Sequence, residues 1–100
     1  MKRVMINEIN NLIGEKIQIK GWVYRVRKLK TITFIIMRDR TGFVQCIAEN
    51  TTVDMSTIKL ESVISIFGEV KEDKNVLHPY EIVIESFKII NSVTEELPIE

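Results

Sequence analysis

One cysteine, Cys46, excludes an internal disulfide and cannot build a metal site alone, and the one histidine is His78. A Cys46–His78 catalytic pair is conceivable on composition. Cys46 nevertheless lies in an apolar strand pattern, where a thiol serves as a small core side chain. No apolar run approaches the roughly 18 residues of a membrane-spanning helix. The opening MKRVMINEIN lacks the apolar segment of a secretory signal, so cytoplasm is the expected compartment, with no membrane partner. There are no repeats, no low-complexity stretch and no internal linker. Net charge is zero, which argues against indiscriminate nucleic-acid binding.

What the chain does have is a sufficient core and an uneven distribution of charge. Its 45% hydrophobic and 28% charged content in 100 residues fits one folded domain, 1–100. Lys16, Lys20, Arg25, Arg27, Lys28, Lys30, Arg38 and Arg40 crowd residues 16–40, against Asp39 alone, while residues 41–100 are acidic overall. A concentrated basic segment suits a polyanion partner; a chance cluster on a solvated surface is the plainer alternative.

The hydrophobic pattern predicts five strands. Ile6, Ile9, Leu12 and Ile13 mark a short amphipathic helix over Asn7 to Ile13, closed by Gly14. From Lys16 to Val26, Ile17, Ile19, Gly21 and Val23 alternate with Gln18, Lys20, Trp22 and Tyr24, as in a strand. Thr31 to Asp39 and Phe43 to Ala48 follow, joined by a turn at Arg40-Thr41-Gly42 in which Asp39 is the expected pin. Asn50 to Ser62 reads as a loop with one helical turn. Val63 to Lys71 and Glu81 to Ile90 are the last strands, separated by a charged hairpin loop.

Three linked strands, a helical link and two more strands give the order of an all-β, five-stranded OB-fold barrel. An SH3-type barrel is the runner-up, disfavoured by the helical link. Gly21 is the expected bend or bulge in a first strand that must serve two sheets. The second and third predicted strands are apolar on both faces. Ile35 and Met37 oppose Ile32, Phe34 and Ile36; Val44, Cys46 and Ala48 oppose Phe43, Gln45 and Ile47. A small barrel has one interior, so one stripe must face out or be covered. Pattern alone leaves Phe34 open between a core position and an outward platform for stacking on a base. Trp22 is expected to pack beneath the N-terminal helix.

The run Gly21-Trp22-Val23-Tyr24-Arg25-Val26-Arg27, then Phe34, Met37-Arg38-Asp39-Arg40-Thr41-Gly42 and Val44-Gln45 resembles the N-terminal anticodon-binding domain of the class II aspartyl-, asparaginyl- and lysyl-tRNA synthetases. Val63 to Val70, the Glu81 strand and Leu97-Pro98 continue the likeness in order. Arg-Asp-Arg-Thr-Gly followed by Val-Gln looks closest to the aspartyl enzymes. The resemblance implies that Phe34 stacks on the middle anticodon base, a uridine in both Asp and Asn tRNAs. It implies that Gln45 and Arg27 hydrogen-bond that base, and that Glu81 helps to read the first. The third base is expected near Tyr24 and the His78-Pro79 turn, and Lys28 and Lys30 are expected against phosphates.

Aminoacylation in that family belongs to a separate large domain, which 100 residues cannot hold. ATP and Mg2+ are therefore implied only for a parent enzyme, an aminoacyl-tRNA ligase expected to be a homodimer through that domain. This chain alone is expected to have no cofactor and no catalytic residues, and 97–100 reads as the start of the hinge. Two other readings stay open. One is a general single-stranded nucleic-acid-binding OB protein; the other is a protein-interaction barrel using its apolar outer stripe.

Overall fold

Alternating isoleucines turn one side of a long strand inward, and the barrel is organised by what that strand pairs with. The computed structural model describes residues 2–51, 53, 58–60, 62–72 and 80–91. In chain order these form β1 (Lys2–Arg3), a 3-10 helix (Ile6–Asn11), β2 (Lys16–Lys28), β3 (Ile32–Asp39), β4 (Gly42–Glu49), β5 (Val63–Glu72) and β6 (Tyr80–Asn91). The two residues of β1 add in parallel to β2, so the barrel proper is the five strands β2 to β6.

β2 closes the barrel by serving two partners. Lys16 to Trp22 pair with β5, and Trp22 to Lys28 pair with β3, Trp22 belonging to both ladders. β3 continues to β4, β4 to β6 in parallel, and β6 back to β5. Among the described residues, closure leaves no open sheet edge running the length of the barrel. The observed strands match the predicted ones to within two residues at each end.

Two details differ from the sequence-based expectation. A bend or bulge in β2 is expected at Gly21: the change of partner falls at the adjacent Trp22, whereas the slip in register falls at Tyr24, with Val23 opposite Met37 and Arg25 opposite Ile36. Gly21 has another task. A Cβ there would lie 2.3 Å from the backbone oxygen of Arg38, so only glycine allows β2 and β3 to approach this closely. The short N-terminal helix is present as a 3-10 helix over Ile6–Asn11, starting one residue earlier than expected and not reaching Ile13. Its spacing explains this. Ile6 and Ile9 are buried and Leu12 is partly so, at intervals of three, the 3-10 period; Ile13 falls outside and is exposed.

Asp39 joins that helix to the β3–β4 turn. Its Oδ1 accepts hydrogen bonds from the Thr41 N–H at 2.7 Å and from the Thr41 hydroxyl, and its Oδ2 accepts one from the Ile6 N–H at 2.9 Å. The buried carboxylate thus pins the turn, as expected, and also caps the helix.

The core fills from inward residues of every barrel strand: Ile17, Ile19 and Val23; Ile35 and Met37; Val44, Cys46 and Ala48; Ile64, Ile66 and Val70; Ile82 and Ile84. Each large aliphatic side chain fully buried here contributes about 1.5–3 kcal/mol relative to exposure. Burial, reinforced by the nearby Glu81 carboxylate, raises the Cys46 thiol far above its ordinary range and keeps it protonated. Cys46 is therefore a core side chain and not a nucleophile. Val53 and Ile58, from the link between β4 and β5, also enter the core. The helical turn expected in that link falls largely outside the described residues, as do His78 and the hinge-like 97–100.

Candidate nucleic-acid interface

The interface is set by parity. In β2, Ile17, Ile19, Gly21 and Val23 point inward, so a regular strand would also turn Arg25 and Arg27 into the core. The extra residue at Tyr24 reverses the count. Val26 now stands opposite the buried Ile35, while Arg25 and Arg27 stand opposite Ile36 and Phe34 on the outer face. The β-bulge thus re-aims two cations without breaking the strand.

Cross-strand register builds rows on that outer face. Arg27, Phe34, Ile47 and Val83 lie in one row across β2, β3, β4 and β6; Arg25, Ile36, Gln45 and Glu81 lie in the next. A third row places Trp22, Arg38 and Phe43 side by side. Neighbouring strands are about 4.8 Å apart, and successive rows about 6.6 Å apart. The outer stripe of β3 and β4 is therefore the uncovered one, and Phe34 belongs to it, half-buried and outside the core.

An open cleft of about 770 Å³ lies over these rows, lined by Tyr24, Arg25, Val26, Arg27, Phe34, Ile36, Gln45 and Leu60. Arg27, Phe34, Gln45 and Tyr24, each proposed from sequence, thus meet at one place. Glu81 adjoins them, its Oε1 accepting a hydrogen bond from Gln45 Nε2 at 3.3 Å. That contact orients the amide at the edge of the cleft. A carboxamide offers both donor and acceptor, the pair that a uracil edge requires.

The basic loop after β2 is shaped by a residue that sequence reading did not single out. Asn50 Nδ2 donates to the carbonyls of Leu29 at 3.0 Å and Lys30 at 3.2 Å, and its Oδ1 accepts from the Thr33 hydroxyl at 2.7 Å. The Asn50 N–H also donates to the Thr31 carbonyl at 2.9 Å. Lys28 and Lys30 are exposed on either side of Leu29 in this clamped loop. His78 lies outside the described residues.

Arg25, Ile36 and Leu60 line the cleft without having been proposed. For Arg25 a signal existed: the inward residues Val23 and Val26 are three apart, an interval that strict alternation forbids. Leu60 comes from the link, whose course carries no periodicity. Trp22, expected beneath the helix, is half-buried on the outer face, with the Arg38 guanidinium carbon 5.8 Å from its ring centre.

A closed five-stranded barrel with a basic, aromatic-bearing cleft on its outer face is an OB domain of the nucleic-acid-binding class. The chain belongs to the tRNA anticodon family, described as an OB-fold nucleic acid binding domain, whose family model matches residues 17–90. Within it, the chain is an anticodon-binding domain of the aspartyl/asparaginyl-tRNA synthetase type. It is 36% identical over 83 residues to the asparagine–tRNA ligase of Thermoplasma acidophilum, covering 77% of this chain and 19% of that one. It is 37% identical over 93 residues to the aspartate–tRNA(Asp/Asn) ligase of Archaeoglobus fulgidus, covering 87% and 22%. The structure of asparaginyl-tRNA synthetase from Pyrococcus horikoshii complexed with asparaginyl-adenylate superposes with a TM-score of 0.82 at 28% identity, over 100% of this chain and 24% of that one. The chain spans about a fifth of the length of the curated relatives it matches.

Proposed function

We propose that this chain recognises the anticodon loop of tRNA-Asp or tRNA-Asn, as the N-terminal domain of an ATP- and Mg2+-dependent aspartate– or asparagine–tRNA ligase. The observation that carries the proposal is the convergence of Arg27, Phe34 and Gln45 on one cleft, with Glu81 hydrogen-bonded to Gln45 at its edge. Sequence-specific RNA recognition targets splayed single-stranded bases, by stacking on an aromatic ring and hydrogen bonds to base edges. In this reading Phe34 takes the face of the middle uridine, and Gln45 and Arg27 take its edge. Glu81 addresses the first base, and Tyr24, with His78, the third. Lys28 and Lys30 face phosphates from the clamped loop. The parent enzyme acts in the cytoplasm as a homodimer formed through its catalytic domain. Among the described residues no helix is long and apolar enough to cross a membrane.

Because the middle base is common to both tRNAs, discrimination between them falls on the third. The test is equilibrium binding of the chain to hairpins with a GUC loop, a GUU loop and a scrambled loop, and to a DNA oligonucleotide. Tighter binding of GUC, GUU or both than of the scrambled loop supports anticodon recognition. Equal binding of every oligonucleotide with a steep salt dependence would mean a general single-strand binder. No binding to any would leave the protein-interaction reading.

A further inference from the structure

We propose that Phe43, Arg38 and Trp22 form a second nucleotide platform, for the unpaired nucleotide that follows the third anticodon base; the proposal rests on the anticodon reading and extends it. Phe43 is 56% exposed on the outer face of β4, although it stands in register with two other outward side chains. The Arg38 guanidinium carbon lies 5.7 Å from the Phe43 ring centre and 5.8 Å from that of Trp22, so one cation sits between two rings. Tyr24, itself 45% exposed, meets Phe43 edge-on, with ring centres 5.1 Å apart and planes at 62°. Arg25 lies over the other ring of this pair, 5.6 Å from the centre of Tyr24.

This cluster is more than a scattered surface aromatic. Three rings and two guanidinium groups form one run of contacts, Trp22–Arg38–Phe43–Tyr24–Arg25, and among the described residues neither cation has a carboxylate within ion-pair distance. Rings present faces to bases, and interleaved cations meet phosphates and stack on π-systems. Continuity selects RNA as the occupant. Tyr24 belongs both to the anticodon cleft and to the Phe43 contact, so a strand leaving the cleft past Tyr24 reaches Phe43 next. Stacking there reads no edge, so the site adds affinity for the loop without adding sequence preference. A protein partner docked on the same rings would leave RNA binding unmoved.

The experiment uses the 100-residue chain and an anticodon stem-loop in which each unpaired nucleotide is replaced in turn by an abasic one. Phe43→Ala is expected to weaken the intact hairpin roughly 5- to 150-fold, the loss of one base–aromatic stack. An abasic nucleotide directly 3′ of the triplet should weaken wild-type binding similarly, and combining the two changes should cost no more than either alone. Phe43→Leu, which keeps apolar bulk, should behave as Phe43→Ala, and neither should shift the thermal midpoint of so exposed a position. A wild-type chain that separates the triplet from a scrambled one while Phe43→Ala binds normally removes this site alone. Coupling of Phe43 to a nucleotide inside the triplet does the same. A wild-type chain blind to the triplet removes the anticodon reading and this site with it.

Discussion

Phe34 and Ile35 are neighbours in sequence on opposite sides of one strand, so truncating each in turn separates binding from folding. Ile35 is 0% exposed and packs against inward residues of β2 and β4. Ile35→Ala removes three buried carbons and leaves a cavity, at about 2–5 kcal/mol of stability. For a domain of this size that lowers Tm by at least about 8 °C. Phe34 lines an open cleft and lies outside the core cluster, so its loss opens no cavity. Phe34→Ala should change stability by less than about 1 kcal/mol, the scale of a surface substitution. Its effect belongs in RNA binding: losing one base–aromatic stack costs about 1–3 kcal/mol, or roughly 5- to 150-fold in Kd. Urea denaturation gives the first quantity, and fluorescence anisotropy with a labelled GUC stem-loop the second. A Phe34→Ala protein that binds the loop normally but unfolds several kcal/mol more easily would refute the assignment of the outer face, though not the barrel.

Gln45→Ala should weaken a uridine-centred loop more than a cytidine-centred one, read as a ratio of Kd values, because it removes edge hydrogen bonds and leaves the stack; equal weakening would speak against base reading by Gln45. Arg27→Ala should lose part of its effect as salt rises, whereas the Phe34→Ala effect should persist; a titration from low to high ionic strength distinguishes screened from short-range contributions. Asp39→Ala should cost about 1–3 kcal/mol in urea denaturation, because it leaves the Ile6 N–H and the Thr41 turn without their acceptor, while changing RNA affinity little.

The strands were legible because β-branched and aromatic runs bounded by polar turns survive in sequence, and the OB order follows from their number and spacing. The side of each strand was harder. In β3, apolar residues occupy both parities, and only closure of the barrel shows that Ile35 and Met37 fill the interior and Phe34 does not. In β2 the alternation from Ile17 to Val23 suggests an unbroken rule. The rule fails at Tyr24, and the sign of it is the apolar Val26 at an odd interval from Val23. Gly21 is legible as special, beside the change of partner at Trp22, but its tightest constraint is the backbone of β3, which no pattern within β2 records. The helix misled through Ile13, an apolar residue that suits an α-helical face but not a three-residue turn. Gln45 and Glu81 are thirty-six positions apart, and their hydrogen bond depends on a parallel pairing that no local signal announces.

Asn50 gives the basic loop a chemical lifetime of its own. Two backbone carbonyls, those of Leu29 and Lys30, rely on a single NH2 group for a donor. Hydrolysis of that amide would yield an aspartate of nearly the same shape with no N–H left to give. The Thr33 hydroxyl would keep its acceptor, but the two carbonyls would face an anion instead of a donor. Material aged in this way would hold its barrel and its stacking ring while the loop carrying Lys28 and Lys30 lost its clamp, and the new charge would sit beside the cations meant for phosphate. Loss of affinity on storage, without loss of fold, would thus be traced by peptide mass to one added dalton at Asn50.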